Sequence, residues 1–84
     1  MSTVVFFGAS WCRPCKAAYP LTERMASEFG VPLEYVDVEY GDDRARDVTA
    51  IPTVRVYDVH DEVVMEVRGN VSQGALDALF GGLA

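Results

Sequence analysis

Apolar residues fall along this chain in blocks of two distinct periods. Val4–Phe7 is an unbroken β-branched and aromatic run bounded by Gly8, the pattern of a strand buried on both faces. From Arg13 to Phe29 the spacing changes to three and four, which puts Ala18, Leu21, Met25 and Phe29 on one helical face. Pro14 falls in the first turn, where its missing N–H has no partner to lose. Pro20 falls in mid-helix, where its ring meets the carbonyl four residues back and a bend is expected. Arg24 and Glu28 have the spacing of an exposed i,i+4 ion pair, and Gly30 followed by Pro32 ends the helix.

The second half is built from shorter blocks. Leu33–Val38 reads as a strand, and Gly41-Asp42-Asp43 as a turn that caps a short helix over Arg44–Val48. Thr53–Tyr57 and Glu62–Arg68 each alternate with period two across the polar hinge Asp58–Asp61, which predicts an antiparallel hairpin. Gly69-Asn70 breaks the last strand, and Ser72 caps a final helix striped by Ala75, Leu76, Leu79 and Phe80. The predicted order is β-α-β-α-β-β-α. A helix joining two strands demands a parallel pair and the hairpin adds antiparallel edges, so the fold class is α/β, a four-stranded mixed sheet flanked by helices.

Composition narrows the function. At 84 residues, half of them apolar, the expectation is one globular domain, 1–84, with a thin core. A net charge of −6 without a basic cluster argues against nucleic acid as a partner. Met1-Ser2-Thr3 has no cationic lead and the following apolar run is four residues long, so neither a signal peptide nor a membrane span is expected. A cytoplasmic location follows as the expectation, and there thiols stay reduced. The two cysteines, Cys12 and Cys15, close a loop too short to staple the fold; they point to chemistry instead.

Trp11-Cys12-Arg13-Pro14-Cys15-Lys16 sits between a buried strand and the start of a helix. The first-turn N–H groups have no carbonyl partners and the helix dipole is positive there, so a thiolate at Cys12 is favoured over the thiol. Such surroundings lower a cysteine pKa from about 8.5 into the range of roughly 3.5–7.5. Arg13 adds positive charge, Pro14 stiffens the loop, and Cys15 lies one turn on, within reach of a mixed disulfide at Cys12 but expected to point more into the protein. One cysteine attacks and the other resolves. Zinc is the rival for the pair, but it takes four nitrogen or sulfur ligands, and beyond these two the chain offers His60 alone. His60 reads as a solvated turn residue, Asp42, Asp43 and Asp47 as a solvated helix start, and Lys16, the sole lysine, as a surface residue. Trp11, next to Cys12 in a loop, reads as a partly exposed contact surface.

The block resembles the active site of the thioredoxin family, Trp-Cys-Gly-Pro-Cys-Lys, with Arg13 in place of the glycine. Pro20, five residues after Cys15, is similar to the family's helix-kinking proline. Ile51-Pro52-Thr53 resembles the segment whose cis-proline faces the cysteines, and Gly69 the glycine beside the substrate groove. The likeness runs over residues 3–84, without the family's leading strand and helix, and implies a glutaredoxin-sized thioredoxin-like fold. It implies a thiol-disulfide oxidoreductase that reduces protein disulfides through a Cys12/Cys15 cycle, with no bound cofactor. Substrate contacts would come from Trp11, Arg13, Pro14, Ile51, Pro52 and Gly69, with Ala50 alongside. A cis Ile51–Pro52 bond would let the Ile51 backbone pair with an extended peptide. An NADPH-dependent thioredoxin reductase would be the electron donor, the protein acting as a monomer; ribonucleotide reductase would be one substrate by analogy.

Departures from the family are as informative. Phe6 stands where a buried aspartate is usual and Tyr35 where its accompanying lysine is, so proton transfer during resolution would fall to water. Arg13 favours the reduced thiolate, so the couple is expected to be somewhat less reducing than thioredoxin's. Two further readings stand beside this one. A glutathione-linked, glutaredoxin-like enzyme suits the length, but not Trp11, the Ile-Pro-Thr segment or a single glycine at Gly69-Asn70. A peptide-binding module using the same groove would keep its effect in Cys12→Ser, whereas an enzyme would lose it.

Overall fold

The computed structural model describes residues 2–83. Its elements are β1 (Thr3–Gly8), α1 (Arg13–Phe29), β2 (Leu33–Asp37), a 3-10 turn (Asp43–Ala45), β3 (Thr53–Tyr57), β4 (Val63–Arg68) and α2 (Gln73–Gly81). The sheet order is β2-β1-β3-β4, with β1 parallel to β2 and antiparallel to β3, and β3 antiparallel to β4. Val4, Val5, Phe6 and Phe7 are fully buried, which is why this run carries no alternation: both sides of β1 face protein. None of the helices among the described residues is long and apolar enough to cross a membrane.

One face of the sheet carries both helices. Val4 and Phe6 of β1, Val54 and Val56 of β3, Ala18, Met25 and Ala26 of α1, and Leu76, Leu79 and Phe80 of α2 form one core, which includes both cysteines. Helix α1 runs unbroken through Pro20 and ends at Gly30, whose φ of 67° is the left-handed cap that glycine adopts without strain. Ser72 caps α2 by accepting a hydrogen bond from the Ala75 N–H at 3.2 Å. Phe29 departs from the expected stripe: it is 43% exposed, at the end of α1, where its ring still reaches Phe80 at 5.4 Å between centroids. Arg24 does not pair with Glu28; its guanidinium instead donates to Oε1 of Gln73 at 3.5 Å, across to α2.

The opposite face is covered differently from the expectation. Val5, Phe7, Val36 and Tyr57 pack against Val38, Ala45 and Val48. The segment expected to be a helix over Arg44–Val48 is a 3-10 turn, because each amide reaches back only three residues: Ala45 to Asp42, Arg46 to Asp43, Val48 to Ala45. Asp42 caps it as expected, accepting from the Arg44 N–H, and its carboxylate also holds the Arg44 guanidinium at 2.7 Å. Arg44 bridges in turn to Glu34 on β2 at 2.7 Å.

This cover buries a charge. Period-two alternation would leave Arg55 facing water, yet its side chain is 6% exposed beneath the turn. It is fully partnered: Nε to Glu66 at 2.6 Å, Nη1 to Asp47 at 3.1 Å and to the Arg44 carbonyl at 3.0 Å, with Phe7 beneath the guanidinium at 5.2 Å. Such a group stabilises the fold only while its partners remain, since an uncompensated buried charge is destabilising. Glu66→Ala is therefore expected to lower unfolding free energy by about 1–3 kcal/mol, short of a fully buried pair because Asp47 stays, as measured by urea denaturation.

Candidate active site

Strand β1 ends at Gly8, and four residues carry the chain over to the start of α1. The turn is closed by the Cys12 N–H donating to the Ala9 carbonyl at 3.1 Å. Cys12 is the N-cap of α1, in extended conformation (φ −84°, ψ 108°), with Pro14 in the first turn. Its sulfur accepts the Cys15 N–H at 3.2 Å, and its carbonyl accepts from the Lys16 N–H. No acidic residue lies in this first turn. Cys12 and Cys15 are joined as a disulfide, with their Cα atoms 5.3 Å apart.

Cys12 is 4% exposed and Cys15 3%, so depth does not distinguish the two as expected; surroundings do. The amide donor beside Cys12 Sγ is aimed at the thiolate that reduction would leave there. Cys15 instead lines an open cavity of about 320 Å³ with Ala9, Ser10, Lys16, Tyr19, Pro20 and Tyr35. Lys16 is thus part of a concave wall as well as an exposed residue.

The other face of α1 opens on an apolar groove of about 230 Å³ lined by Pro14, Ala17, Ala18, Leu21, Pro52, Gly69, Asn70 and Val71. Three of the expected contact residues, Pro14, Pro52 and Gly69, meet there. The Ile51–Pro52 peptide is cis, and the Pro52 carbonyl accepts from the Gly69 N–H at 2.8 Å. Gly69 sits at φ 78°, a conformation that favours glycine. Thr53 Oγ1 donates to the Ala50 carbonyl at 2.7 Å and pins the loop ahead of Pro52. Trp11, Arg13 and Ile51 do not line the groove. Trp11 stands beside Cys12 with 65% of its surface exposed, Arg13 is exposed, and Ile51 packs onto the core. Ala17, Ala18, Leu21, Asn70 and Val71 complete the wall, none of them expected from the sequence to contact substrate. The spacing Pro14, Ala17/Ala18, Leu21 is the signal that would have found the helical part, a stripe beginning at the cysteine loop itself.

Beneath the loop Phe6 is fully buried, with Tyr35 stacked on it at 5.9 Å and Tyr19 edge-on at 5.2 Å. Among the described residues no aspartate or glutamate is buried, in keeping with Phe6 at the usual place of an acid. His60 lies exposed at the hairpin tip, its N–H on the Asp58 carboxylate, and no three metal-ligating side chains converge among the described residues.

A cysteine pair closing one helical turn at an N-terminus, on a four-stranded mixed sheet, defines a thiol-disulfide oxidoreductase of the thioredoxin type. The comparisons agree. The sequence pattern of the thioredoxin family matches residues 1–80. Thioredoxin H-type of Chlamydomonas reinhardtii is 35% identical over 90% of this chain and 69% of its own length. Thioredoxin-2 of Saccharomyces cerevisiae is 36% identical over 80% of this chain and 67% of its own. Reduced Schistosoma mansoni thioredoxin superposes with a TM-score of 0.86 at 28% identity, covering 99% of this chain and 79% of that structure. The chain belongs to the thioredoxin family.

The unequal surroundings of the two sulfurs lead to a direct expectation. In the reduced protein at pH 7, iodoacetamide should modify Cys12 at least about 10-fold faster than Cys15, as read by peptide mass spectrometry. Equal rates would mean that the helix N-terminus does not bias the pair.

Proposed function

We propose that this protein reduces disulfide bonds of protein substrates, with Cys12 as the attacking and Cys15 as the resolving sulfur. The carrying observation is the Cys12 sulfur at the helix N-cap, bonded by the Cys15 N–H. The groove of Pro14, Pro52 and Gly69 lies on the same helix and takes an extended, largely apolar peptide segment. Trp11 and Arg13 border the docked peptide, and the Ile51 backbone pairs with it. In the cycle the Cys12 thiolate attacks a substrate sulfur and the partner sulfur leaves as a thiolate. Cys15 then attacks Cys12, releasing the second substrate thiol and leaving the Cys12–Cys15 disulfide. The substrate gains two electrons and the pair loses two.

An NADPH-dependent thioredoxin reductase is the proposed donor. Steady reduction requires a reducing compartment, so the cytoplasm is the location this reading implies, with the protein acting as a monomer of one domain, 1–84. The test couples insulin reduction to NADPH oxidation through thioredoxin reductase, with glutathione and glutathione reductase as the comparison. Turnover with the first system and loss of it in Cys12→Ser support the reading, and Cys15→Ser should hold the substrate as a stable mixed disulfide. Turnover with glutathione alone would move the protein to glutaredoxin-like duty. Binding and effect that survive Cys12→Ser would make it a peptide-binding module.

Arg13 sets the poise of this couple. Its charge next to Cys12 favours the thiolate and so the reduced form, which makes the couple less reducing than the roughly −270 mV of thioredoxin. Arg13→Gly is expected to shift the potential about 10–30 mV more negative, read by thiol labelling in glutathione buffers. A parent potential at or below thioredoxin's would sink this account of Arg13.

A further inference from the structure

The groove explains how Cys12 meets a substrate, but nothing in it handles the proton that Cys15 must lose before it attacks. Cys15 lines the cavity on the other side of α1. Positions 15, 16, 19 and 20 line the second cavity, half a helical turn from the stripe at 14, 17, 18 and 21. Its far wall is Tyr35, which the parallel register sets beside Phe6. The Cys15 sulfur and the Tyr35 hydroxyl both approach Gly8. A methyl group on Gly8 would stand 3.3 Å from Cys15 Sγ and 3.2 Å from Tyr35 Oη, so these atoms lie within 6.5 Å of each other, the sum of those distances. No direct hydrogen bond joins them. A single water spans about 5–6 Å between a hydroxyl and a sulfur, and the open cavity of about 320 Å³ that Cys15 and Tyr35 both line has room for one.

We propose that the Tyr35 hydroxyl donates, through one water in this cavity, a hydrogen bond to the Cys15 sulfur, and thereby sets the ionisation of the resolving cysteine. This rests on Cys15 as the resolving sulfur. The hydroxyl is a donor throughout the working range, since burial above all, then Asp37, Tyr19 and Tyr40, raises it beyond the usual phenol pKa. Tyr35 is therefore no base. It stabilises the thiolate, and the proton passes to the bridging water and out through the cavity mouth. The titratable groups facing this space are Lys16 and Tyr19 from α1, Asp37 from β2 and Tyr40 beyond it; β1 contributes none. Tyr19 meets the Tyr35 ring edge-on at 5.4 Å and orients it.

The test follows reaction of the reduced protein with dithiobis(nitrobenzoate) by stopped flow. In the first phase Cys12 attacks the reagent disulfide and one aryl thiolate leaves. In the second, the Cys15 thiolate attacks Cys12 Sγ, the Cys12–aryl disulfide breaks and the other aryl thiolate leaves. Two thiols are oxidised, the reagent is reduced and two protons go to solvent. Tyr35→Phe keeps the stacked ring and removes only the hydroxyl. Its second phase should have a pH midpoint raised by about one unit, with rates about 3-fold lower below it and about 3-fold higher on the alkaline plateau, because a more basic thiolate is the better nucleophile. The first phase should be unchanged. A second-phase midpoint within about 0.2 unit of the parent's in Tyr35→Phe, or slowing by one factor at every pH, overturns the proposal. If the second phase never occurs in the parent, the resolving role of Cys15 fails instead.

Discussion

The Cys12 sulfur is held at the N-cap of α1, where the Cys15 N–H, an amide without a helical carbonyl partner, donates to it, and the remaining architecture serves that placement. The first turn of a helix always leaves such donors, but they act on a side chain only if the N-cap residue is held at the right angle. Here the angle is fixed by the strand before it. β1 is clamped between β2 and β3 and covered on both faces, so the loop from Gly8 to Cys12 starts from an immobile point. The Ala9 carbonyl then turns the chain, and the Cys15 N–H meets the Cys12 sulfur.

Helix α1 also divides the chemistry. One stripe, from Pro14 to Leu21, faces Pro52 and Gly69; the opposite stripe, from Cys15 to Pro20, faces Tyr35. In the proposed cycle a peptide on one side and protons on the other would not compete for space. The substitution of an aromatic trio for a buried acid fits this division. Phe6, Tyr19 and Tyr35 fill the volume beneath the site without a charge that the low-dielectric interior would penalise, and Tyr19 and Tyr35 share the walls of the cavity with the second sulfur.

The far face of the sheet shows how a thin core can accept a charge. Among the described residues no α-helix covers it, and the 3-10 turn that does is too short to bury Phe7 and Tyr57 by apolar contact alone. Arg55 lies across Phe7 and is tied to β4 through Glu66 and to the turn through Asp47 and the Arg44 carbonyl. The ion pairs hold a loop in place where a second helix would otherwise have supplied packing.

Local periodicity and punctuation determined most of the elements. The runs and spacings of apolar residues mark β1, α1 and the hairpin. Gly30 and Ser72 mark helix ends because capping involves only a few consecutive residues, and Cys12-Arg13-Pro14-Cys15 at a helix start is legible for the same reason. Tertiary structure alone decided the rest. Whether Arg44–Val48 becomes a helix, whether Arg55 meets water, and whether Phe29 is covered depend on which layer lies opposite, and short-range pattern carries no record of that. The meeting of Tyr35 with Cys15 is the clearest case. Twenty residues separate them, and only the pairing of Phe6 with Tyr35 in the parallel register, with α1 packed over β1, brings both to the walls of one cavity. A side chain's partners across a sheet follow from strand register and layer packing, which the whole core sets at once.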